Sequence, residues 1–156
     1  TKKELIYAVE DMGAFSLLKN GERKTIHVSI GLRGSAVKIV FAPVFSKLEY
    51  FFPKMENIEI VRESGFINKA RLLSNGSVDI FIHPKHKKYP INEWDICAAD
   101  LIIREAGGSV VDFYGKKLLY NNQNHTTYNG LFATNGSRSK ELLTKIISST
   151  CRRFYL

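Results

Sequence analysis

Cysteine is scarce in this sequence, and long apolar runs are missing from it. The 156 residues include two cysteines, Cys97 and Cys151. Two are too few for a disulfide framework, so we expect a reduced, cytoplasmic setting. No stretch reaches the roughly 18 consecutive apolar residues of a membrane-spanning helix, so we expect no membrane partner. Internal repeats and low-complexity segments are also missing, which predicts a single domain over residues 1–156.

Charge is plentiful and unbalanced. The chain has 23 Lys and Arg residues against 15 Asp and Glu residues, which leaves a formal net charge of +8. Such a charge suits an anionic partner, for example a phosphorylated small molecule or nucleic acid, but also a solvated basic face that binds nothing specific. No RNP, zinc-knuckle or helix-turn-helix motif supports nucleic acid, and we therefore disfavour that partner.

Strand-like and helix-like segments alternate along the chain. Helix patterns cover 66–76, the stretch from Asp95 to Gly107-Gly108, and 137–149, whereas 34–52 is ambiguous between helix and strand. A hairpin is predicted from 109–115 and 116–120 because Gly115-Lys116 supplies a turn. Single strands are predicted at 4–9, 14–19, 25–29, 58–63, 77–83 and 130–135. The alternation predicts an α/β fold with a mixed β-sheet flanked by helices.

The stretch "NEWDICAADLIIREAGGSVVD" (92–112) places an acid at the start of an apolar helix. A carboxylate there is stabilised by about 0.3–1 kcal/mol, because the helix start carries unpaired N–H groups and a partial positive charge. Asp95 is therefore either a helix cap or a ligand for a divalent cation or a phosphate-bearing molecule. One acid is too few for a metal site, so periodicity leaves both interpretations open.

The same stretch resembles the C-terminal signature of the inositol-monophosphatase superfamily of Mg²⁺-dependent, lithium-sensitive phosphatases. The resemblance rests on Trp94, Asp95, Ala98, Ala99, Glu105, Ala106, Gly107 and Gly108. Flanking matches extend it over nearly the whole chain, through Val28, Ser29, Gly65, Lys69, Gly76 and Asp79. It implies the C-terminal domain of the sugar-phosphatase αβαβα fold.

Within the superfamily, the chain looks most like the 3'(2'),5'-bisphosphate nucleotidases of the CysQ type. The features that resemble them are Glu93 directly before Trp94, the basic loop 84–92, and "GKKLLYN" followed by "NGLFATN". Those enzymes convert adenosine 3',5'-bisphosphate to AMP and phosphate. Inositol-1-monophosphatase and other sugar phosphatases remain alternatives. So do two non-enzyme functions, a truncated structural or interaction subunit and a basic nucleic-acid-binding module.

The resemblance implies roles for five residues. Asp95 is implied as the catalytic aspartate, a Mg²⁺ ligand that also lies near the scissile phosphate. Glu93, Gly65, Phe66 and Lys69 are implied to bind substrate, although Phe66 stands where the family usually has Ser or Thr. From the residues alone, Lys69 is equally a phosphate ligand or a solvated helix lysine.

Four further residue types have interpretations of their own. Trp94 is interpreted as core packing, and Asp79 corresponds to a structural position of the family. The loop lysines 85, 87 and 88 are more typical of solvated charge, and His83 with His86 makes only a weak metal pair.

One departure from the family pattern changes the expectation. The Asp-Pro-(Leu/Ile)-Asp-Gly-Thr run that supplies the other metal ligands is not found in this sequence. We therefore expect a C-terminal domain without its N-terminal metal-binding half. Such a chain would be inactive alone and would need the N-terminal half of the same enzyme, or a homo-oligomer partner, to act on a phosphorylated small molecule.

Overall fold

Strands and helices alternate in the computed structural model, which describes residues 4–30, 36–51, 57–86, 88, 90–123 and 130–136. The helices are α1 (Phe66–Ser74) and α2 (Glu93–Glu105), with a 3-10 helix over Pro43–Phe51. The strands are β1 (Glu4–Val9), β2 (Gly13–Leu18), β3 (Arg23–Ile26), β4 (Val37–Phe41), β5 (Ile58–Arg62), β6 (Ile80–His83), β7 (Ser109–Val111) and β8 (Leu131–Thr134). Among these residues no helix has the length and apolar character that crossing a bilayer requires. The helix predicted over 137–149 lies outside them.

The larger sheet has five strands in the order β5-β4-β6-β8-β7. Strand β4 runs parallel to β5 and β6, whereas β8 runs antiparallel to β6 and β7. The predicted mixed sheet is therefore confirmed. The three parallel strands end at one side of the sheet, which we call the carboxyl edge: the segments that follow Phe41, Arg62 and His83.

Alternating residues of this sheet are buried on both faces. Val40, Phe81 and Ala133 face a core shared with α1 and α2. The opposite face packs a second core against the 3-10 helix, built from Ile39, Phe41, Ala42, Phe45, Leu48, Ile80, Ile82 and Phe132. Burial on both faces explains why these strands read as nearly continuous apolar runs rather than as alternating ones.

A separate sheet contains β1, β2 and β3 in antiparallel order. It packs against α2, and Glu105 near the end of that helix anchors the β1–β2 turn. The Glu105 carboxylate accepts hydrogen bonds from the backbone N–H groups of Asp11 at 3.1 Å and Gly13 at 2.9 Å. The signature glutamate therefore joins the two layers of the fold.

Glycine ends α2 for two physical reasons. Gly107 has φ +89°, a left-handed conformation that glycine adopts at little cost. Gly108 has no room for a side chain, because a Cβ there would lie 2.9 Å from the carbonyl oxygen of Thr134 on β8. The second glycine lets the helix end approach the sheet.

The predicted hairpin at 109–120 is wrong. Strand β7 pairs with β8, and residues 116–120 form no strand. The turn itself forms, because the N–H of Gly115 donates to the carbonyl of Asp112 and the N–H of Asp112 to that of Lys116. Beyond it the chain packs through side chains instead: Leu118 is buried and the Tyr120 hydroxyl donates to Asp100 on α2.

Other expectations need smaller corrections. The ambiguous segment 34–52 contains β4 followed by the 3-10 helix, separated near Pro43. The third strand ends at Ile26 rather than at residue 29, because the N–H of Val28 turns to the carbonyl of Ala106. Helix α2 begins at Glu93, two residues before Asp95.

Candidate functional site

Aromatic contacts bring the start of α1 to the carboxyl edge of the sheet. Phe66, the first residue of α1, lies 5.5 Å from His83 between ring centroids, and His83 is the last residue of β6. Phe45, which follows β4, lies 5.0 Å from His83 on another side. Ligands of open α/β sheets bind outside the carboxyl ends of the parallel strands. This edge is therefore where the sequence-predicted residues Gly65, Phe66 and Lys69 meet.

Lys69 is a buried lysine whose ammonium group binds backbone. Its residue is 1% exposed, and Nζ donates to the carbonyl oxygens of Glu63 at 3.2 Å, Ser64 at 3.0 Å and Gly65 at 3.1 Å. Burial lowers the pKa of Lys69 to about 8, and the Glu63 carboxylate opposes this shift. The side chain is not the solvated helix lysine that was one of the two interpretations, and its three donors already hold the turn 63–65.

Glu63 supplies a carboxylate at the start of α1. Its Oε1 accepts hydrogen bonds from the N–H of Gly65 at 3.1 Å and from the Asn68 side-chain amide at 3.3 Å. The hydrogen bond from Gly65 is the main reason that the pKa of Glu63 lies below its usual value, against the opposing effect of burial. Sequence reasoning did not single out Glu63, because nothing in "RESGF" distinguishes it from an ordinary surface acid.

Gly65 and Phe66 form the junction between this turn and α1. Gly65 has extended backbone at the N-cap position, and a Cβ there would come within 3.0 Å of the Asn68 amide. Phe66 packs edge-on against Phe81 with ring centroids 5.0 Å apart. An apolar ring therefore stands where the resemblance implies a hydroxyl, so that Phe66 offers a surface and no side-chain hydrogen bond.

Asp95 is exposed at the first turn of α2 and uses one carboxylate oxygen as a cap. Oδ2 accepts hydrogen bonds from the backbone N–H of Asn92 at 3.2 Å and from its side-chain amide at 3.0 Å. Within the described part of the chain, Oδ1 makes no hydrogen bond. The two interpretations of this acid are thus compatible, because the capping oxygen fixes the side chain and the second oxygen stays available for a ligand.

Glu93 is buried and binds the loop that follows residue 118. Its Oε2 accepts from the N–H of Asn121 at 2.8 Å, and Oε1 accepts from the N–H of Asn122 at 2.9 Å and its side-chain amide at 3.0 Å. Asn121 has φ +63°, a conformation that this carboxylate helps to hold. The geometry shows that Glu93 holds this loop against the start of α2, and substrate contact by Glu93 stays a prediction.

Trp94 does not pack in the core, because 66% of its surface is exposed. A helix that starts at Glu93 turns position 94 away from the buried face that contains Ile96 and Ala99. Lys85 and Lys88 of the basic loop are exposed, and Lys87 lies outside the described residues. The loop therefore contributes at least two surface cations near the carboxyl edge.

Asp79 is the centre of a buried polar cluster that joins both sheets. Its Oδ1 accepts from the Ser29 hydroxyl at 2.7 Å and the Asn135 amide at 2.8 Å, and its Oδ2 accepts from the N–H of Lys38 at 2.9 Å. The cluster lies at the amino ends of β4 and β6, opposite the carboxyl edge. Its position agrees with the structural role expected for Asp79.

The described residues do not by themselves form a magnesium site. No group of three or more His, Cys, Asp or Glu side chains among them could hold a metal ion. Asp95 offers one hard carboxylate oxygen of the kind that Mg²⁺ prefers, but Mg²⁺ requires near-octahedral oxygen coordination. A complete site needs ligands beyond those that the structure describes.

A family model identifies the chain by sequence. The model of the inositol monophosphatase family matches residues 22–152. The chain belongs to the inositol monophosphatase family. A fructose-1,6-bisphosphatase/inositol-1-monophosphatase of Thermotoga maritima is 32% identical over 131 residues, which cover 82% of this chain and 47% of the relative.

Two further comparisons concern a shorter sequence match and a solved structure. A 3'(2'),5'-bisphosphate nucleotidase of Emericella nidulans is 47% identical over 47 residues, 30% of this chain and 13% of that protein. The crystal structure of CysQ from Bacteroides thetaiotaomicron superposes with a TM-score of 0.67 at 20% identity, over 87% of this chain and 55% of that one. At that identity the structural likeness shows the fold alone. The chain spans about half the length of the Thermotoga maritima and Bacteroides thetaiotaomicron proteins.

Proposed function

We propose that this chain supplies the Asp95-bearing half of a Mg²⁺-dependent phosphomonoesterase. The observation that carries the proposal is the available Oδ1 of Asp95, held at the start of α2 by the bonds that Asn92 donates to Oδ2. Family membership supports the reaction class, hydrolysis of a phosphate monoester. In this proposal Asp95 is one ligand of the metal, and the other ligands come from polypeptide that supplements the described residues.

Adenosine 3',5'-bisphosphate is the substrate that we propose to test first. The reasons are the nucleotidase-like features around Glu93 and the local identity to the Emericella nidulans nucleotidase. The exposed lysines 85 and 88 add positive charge that suits a phosphorylated small molecule. The product pair would be AMP and inorganic phosphate.

A polyol or sugar monophosphate is the second candidate substrate. It is favoured by the longer match to the Thermotoga maritima protein, whose name covers fructose-1,6-bisphosphatase and inositol-1-monophosphatase. It is also favoured by Lys69, because an ammonium group bound to three backbone carbonyls has no donor left for a second phosphate. Inositol 1-phosphate represents this class in the assay.

The test measures phosphate release with and without a complementary half. The 156-residue chain is assayed with Mg²⁺ and each substrate, first alone and then together with the part of the Thermotoga maritima relative that it does not match. We call that mixture the reconstituted enzyme. The chain alone is expected to be inactive, and the reconstituted enzyme is expected to release phosphate in a Mg²⁺-dependent and lithium-sensitive way.

Four outcomes would contradict the proposal. Robust turnover by the chain alone would refute the need for added ligands. Turnover retained in the Asp95→Asn variant would show that Asp95 is not the proposed metal ligand. A reconstituted enzyme with no turnover on any phosphate monoester, from a chain that binds the complementary half stably, would favour the interaction subunit. Oligonucleotide binding with a steep salt dependence and no response to Mg²⁺ would favour the nucleic-acid module.

A further inference from the structure

The turn 63–65 at the carboxyl edge already contains an anion. The Glu63 carboxylate accepts the N–H of Gly65 at 3.1 Å and the Asn68 amide at 3.3 Å. These are the donors that a phosphate would use if it bound at the start of α1. An incoming phosphate would have to displace Oε1 and would then lie close to the displaced carboxylate.

The neighbouring cation cannot offset this repulsion. Lys69 is 1% exposed, and all three of its N–H donors bind the carbonyl oxygens of the same turn. A substrate oxygen could reach Nζ only by breaking one of those bonds and opening the turn. The hydrogen bond from Gly65 also lowers the pKa of Glu63, so that the carboxylate is ionised throughout the neutral pH range.

We propose that Glu63 is a specificity-determining residue that excludes a second phosphate group from the turn 63–65 and accepts neutral hydroxyl groups of the substrate there. A hydroxyl donates a hydrogen bond to a carboxylate, whereas an ionised phosphate only accepts hydrogen bonds and is repelled by the negative charge. The inference rests on the proposed function, because it assigns this turn to the substrate pocket. A bisphosphate substrate would place its second phosphate elsewhere, for example beside the basic loop 84–92.

The first test needs no turnover. Inorganic phosphate and myo-inositol are titrated separately into the ¹⁵N-labelled chain, and the amide signals of Gly65 and Phe66 are followed by NMR. Glu63→Gln keeps the shape of the side chain and removes its charge. We expect Glu63→Gln to tighten phosphate binding at these two amides at least fivefold and to leave the response to myo-inositol no stronger than before.

A matched control separates local charge from net charge. Glu59→Gln removes the same charge from β5, the strand that ends just before Glu63, and the Glu59 side chain is exposed and pairs with Lys38. We expect its phosphate titration to equal that of the unmodified chain. Asn68→Lys is a second variant, which places a cation beside the intact carboxylate and should tighten phosphate binding in the same direction. The proposal would be overturned if the unmodified chain, Glu63→Gln and Asn68→Lys all responded equally to phosphate, or if none of them responded.

The second test uses two substrates that differ only in the second phosphate. In the reconstituted enzyme, Glu63→Gln is expected to raise kcat/KM for adenosine 3',5'-bisphosphate relative to adenosine 3'-monophosphate by about tenfold. An unchanged ratio would overturn the role of Glu63 while leaving the phosphatase intact. If neither substrate is hydrolysed, the proposed function fails, and the NMR titration still decides whether Glu63 excludes phosphate.

Discussion

The starts of α1 and α2 solve the same physical problem in different ways. Each has unpaired backbone N–H groups and a partial positive charge, and each has a nearby carboxylate. At α1 the carboxylate belongs to Glu63, the residue that follows β5, and a buried ammonium group, that of Lys69, closes the turn from the other side. At α2 the acid is Asp95, an exposed residue in the first turn of the helix. One of its carboxylate oxygens accepts hydrogen bonds from Asn92.

The two helix starts differ in which of their charged groups remain available to a ligand. Around α1 the Lys69 ammonium group and one oxygen of the Glu63 carboxylate, Oε1, are occupied by hydrogen bonds within the turn. At α2 a single exposed oxygen is left over. We infer that α1 contributes a preformed, negatively charged wall of the site, whereas α2 contributes the carboxylate oxygen that we propose binds the metal. Each prediction below changes a residue at one of these two helix starts, and the predictions are given in order of decreasing expected effect.

Asp95→Asn should affect activity far more than stability. In the reconstituted enzyme kcat/KM should fall roughly 10²–10³-fold, the cost of removing one electrostatic contact in an active site. The free energy of unfolding should change by less than about 1 kcal/mol, because the amide oxygen of Asn keeps the capping bond. Asp112→Asn is the control, since Asp112 also caps a local turn through the N–H groups of Tyr114 and Lys116. Equal losses of activity in both variants would contradict the role of Asp95.

Lys69→Met should have the opposite profile. Removing the ammonium group leaves three carbonyl oxygens of the turn without their donor, and we expect the free energy of unfolding to fall by about 2–4 kcal/mol. Urea denaturation measures it. Lys38→Met removes a half-exposed lysine that pairs with Glu59 on the surface, and should cost less than about 0.5 kcal/mol. A similar small loss for Lys69→Met would show that the turn does not depend on this lysine.

Glu93→Ala tests the support next to Asp95. The N–H groups of Asn121 and Asn122 would lose the acceptor of their partly buried hydrogen bonds, which predicts a loss of about 1–3 kcal/mol in the free energy of unfolding. Amide hydrogen exchange at these two residues should accelerate in the variant. Glu59→Ala, at an exposed ion pair, serves as the comparison and should leave their exchange rates unchanged. Slow exchange retained in Glu93→Ala would contradict the positioning role.

The smallest predicted effect is a pH dependence caused by Lys69. Its pKa is about 8 in the folded chain against 10.5 for an ordinary lysine. Between these values the folded chain has lost the proton that the unfolded chain still binds, so that stability rises with pH across this window. The difference in unfolding free energy between the unmodified chain and Lys69→Met should therefore increase from pH 7.5 to pH 9.5. A flat or falling difference would mean that the carbonyl oxygens keep the ammonium form in place.

Local signals in the sequence predicted much of the fold. Helix α2 follows from apolar residues at helical spacing and from the glycines at its end, and α1 follows from a similar pattern stopped at Asn75-Gly76. The start of α2 was missed by two residues, although Asn92 followed by Asp95 is readable as a capping box. The hairpin at 109–120 failed because its turn is local, whereas the partner of β7 comes from β8, some twenty residues later.

The candidate site was only partly accessible to such reasoning. Asp95 became a candidate ligand through the motif that surrounds it, because periodicity alone allowed both a cap and a ligand. The burial of Lys69 was not visible, since a lysine in a polar helix pattern looks the same whether it reaches solvent or three carbonyls. Glu63 was missed for the same reason, because its effect depends on how the turn folds back onto α1.

The sequence by itself determined the family, the alternation of strands and helices, and the acid at the start of α2, because these depend on residue types at short spacing. The tertiary structure alone decided which charged groups remain available to a ligand. It determines whether the hydrogen-bonding atoms of an acid or a lysine face a ligand or already bind other groups of the fold. Each side chain can make only a limited number of hydrogen bonds, and the packing of the chain sets which partners it meets. The carbonyl groups around Lys69 and the loop amides that bind Glu93 are such partners.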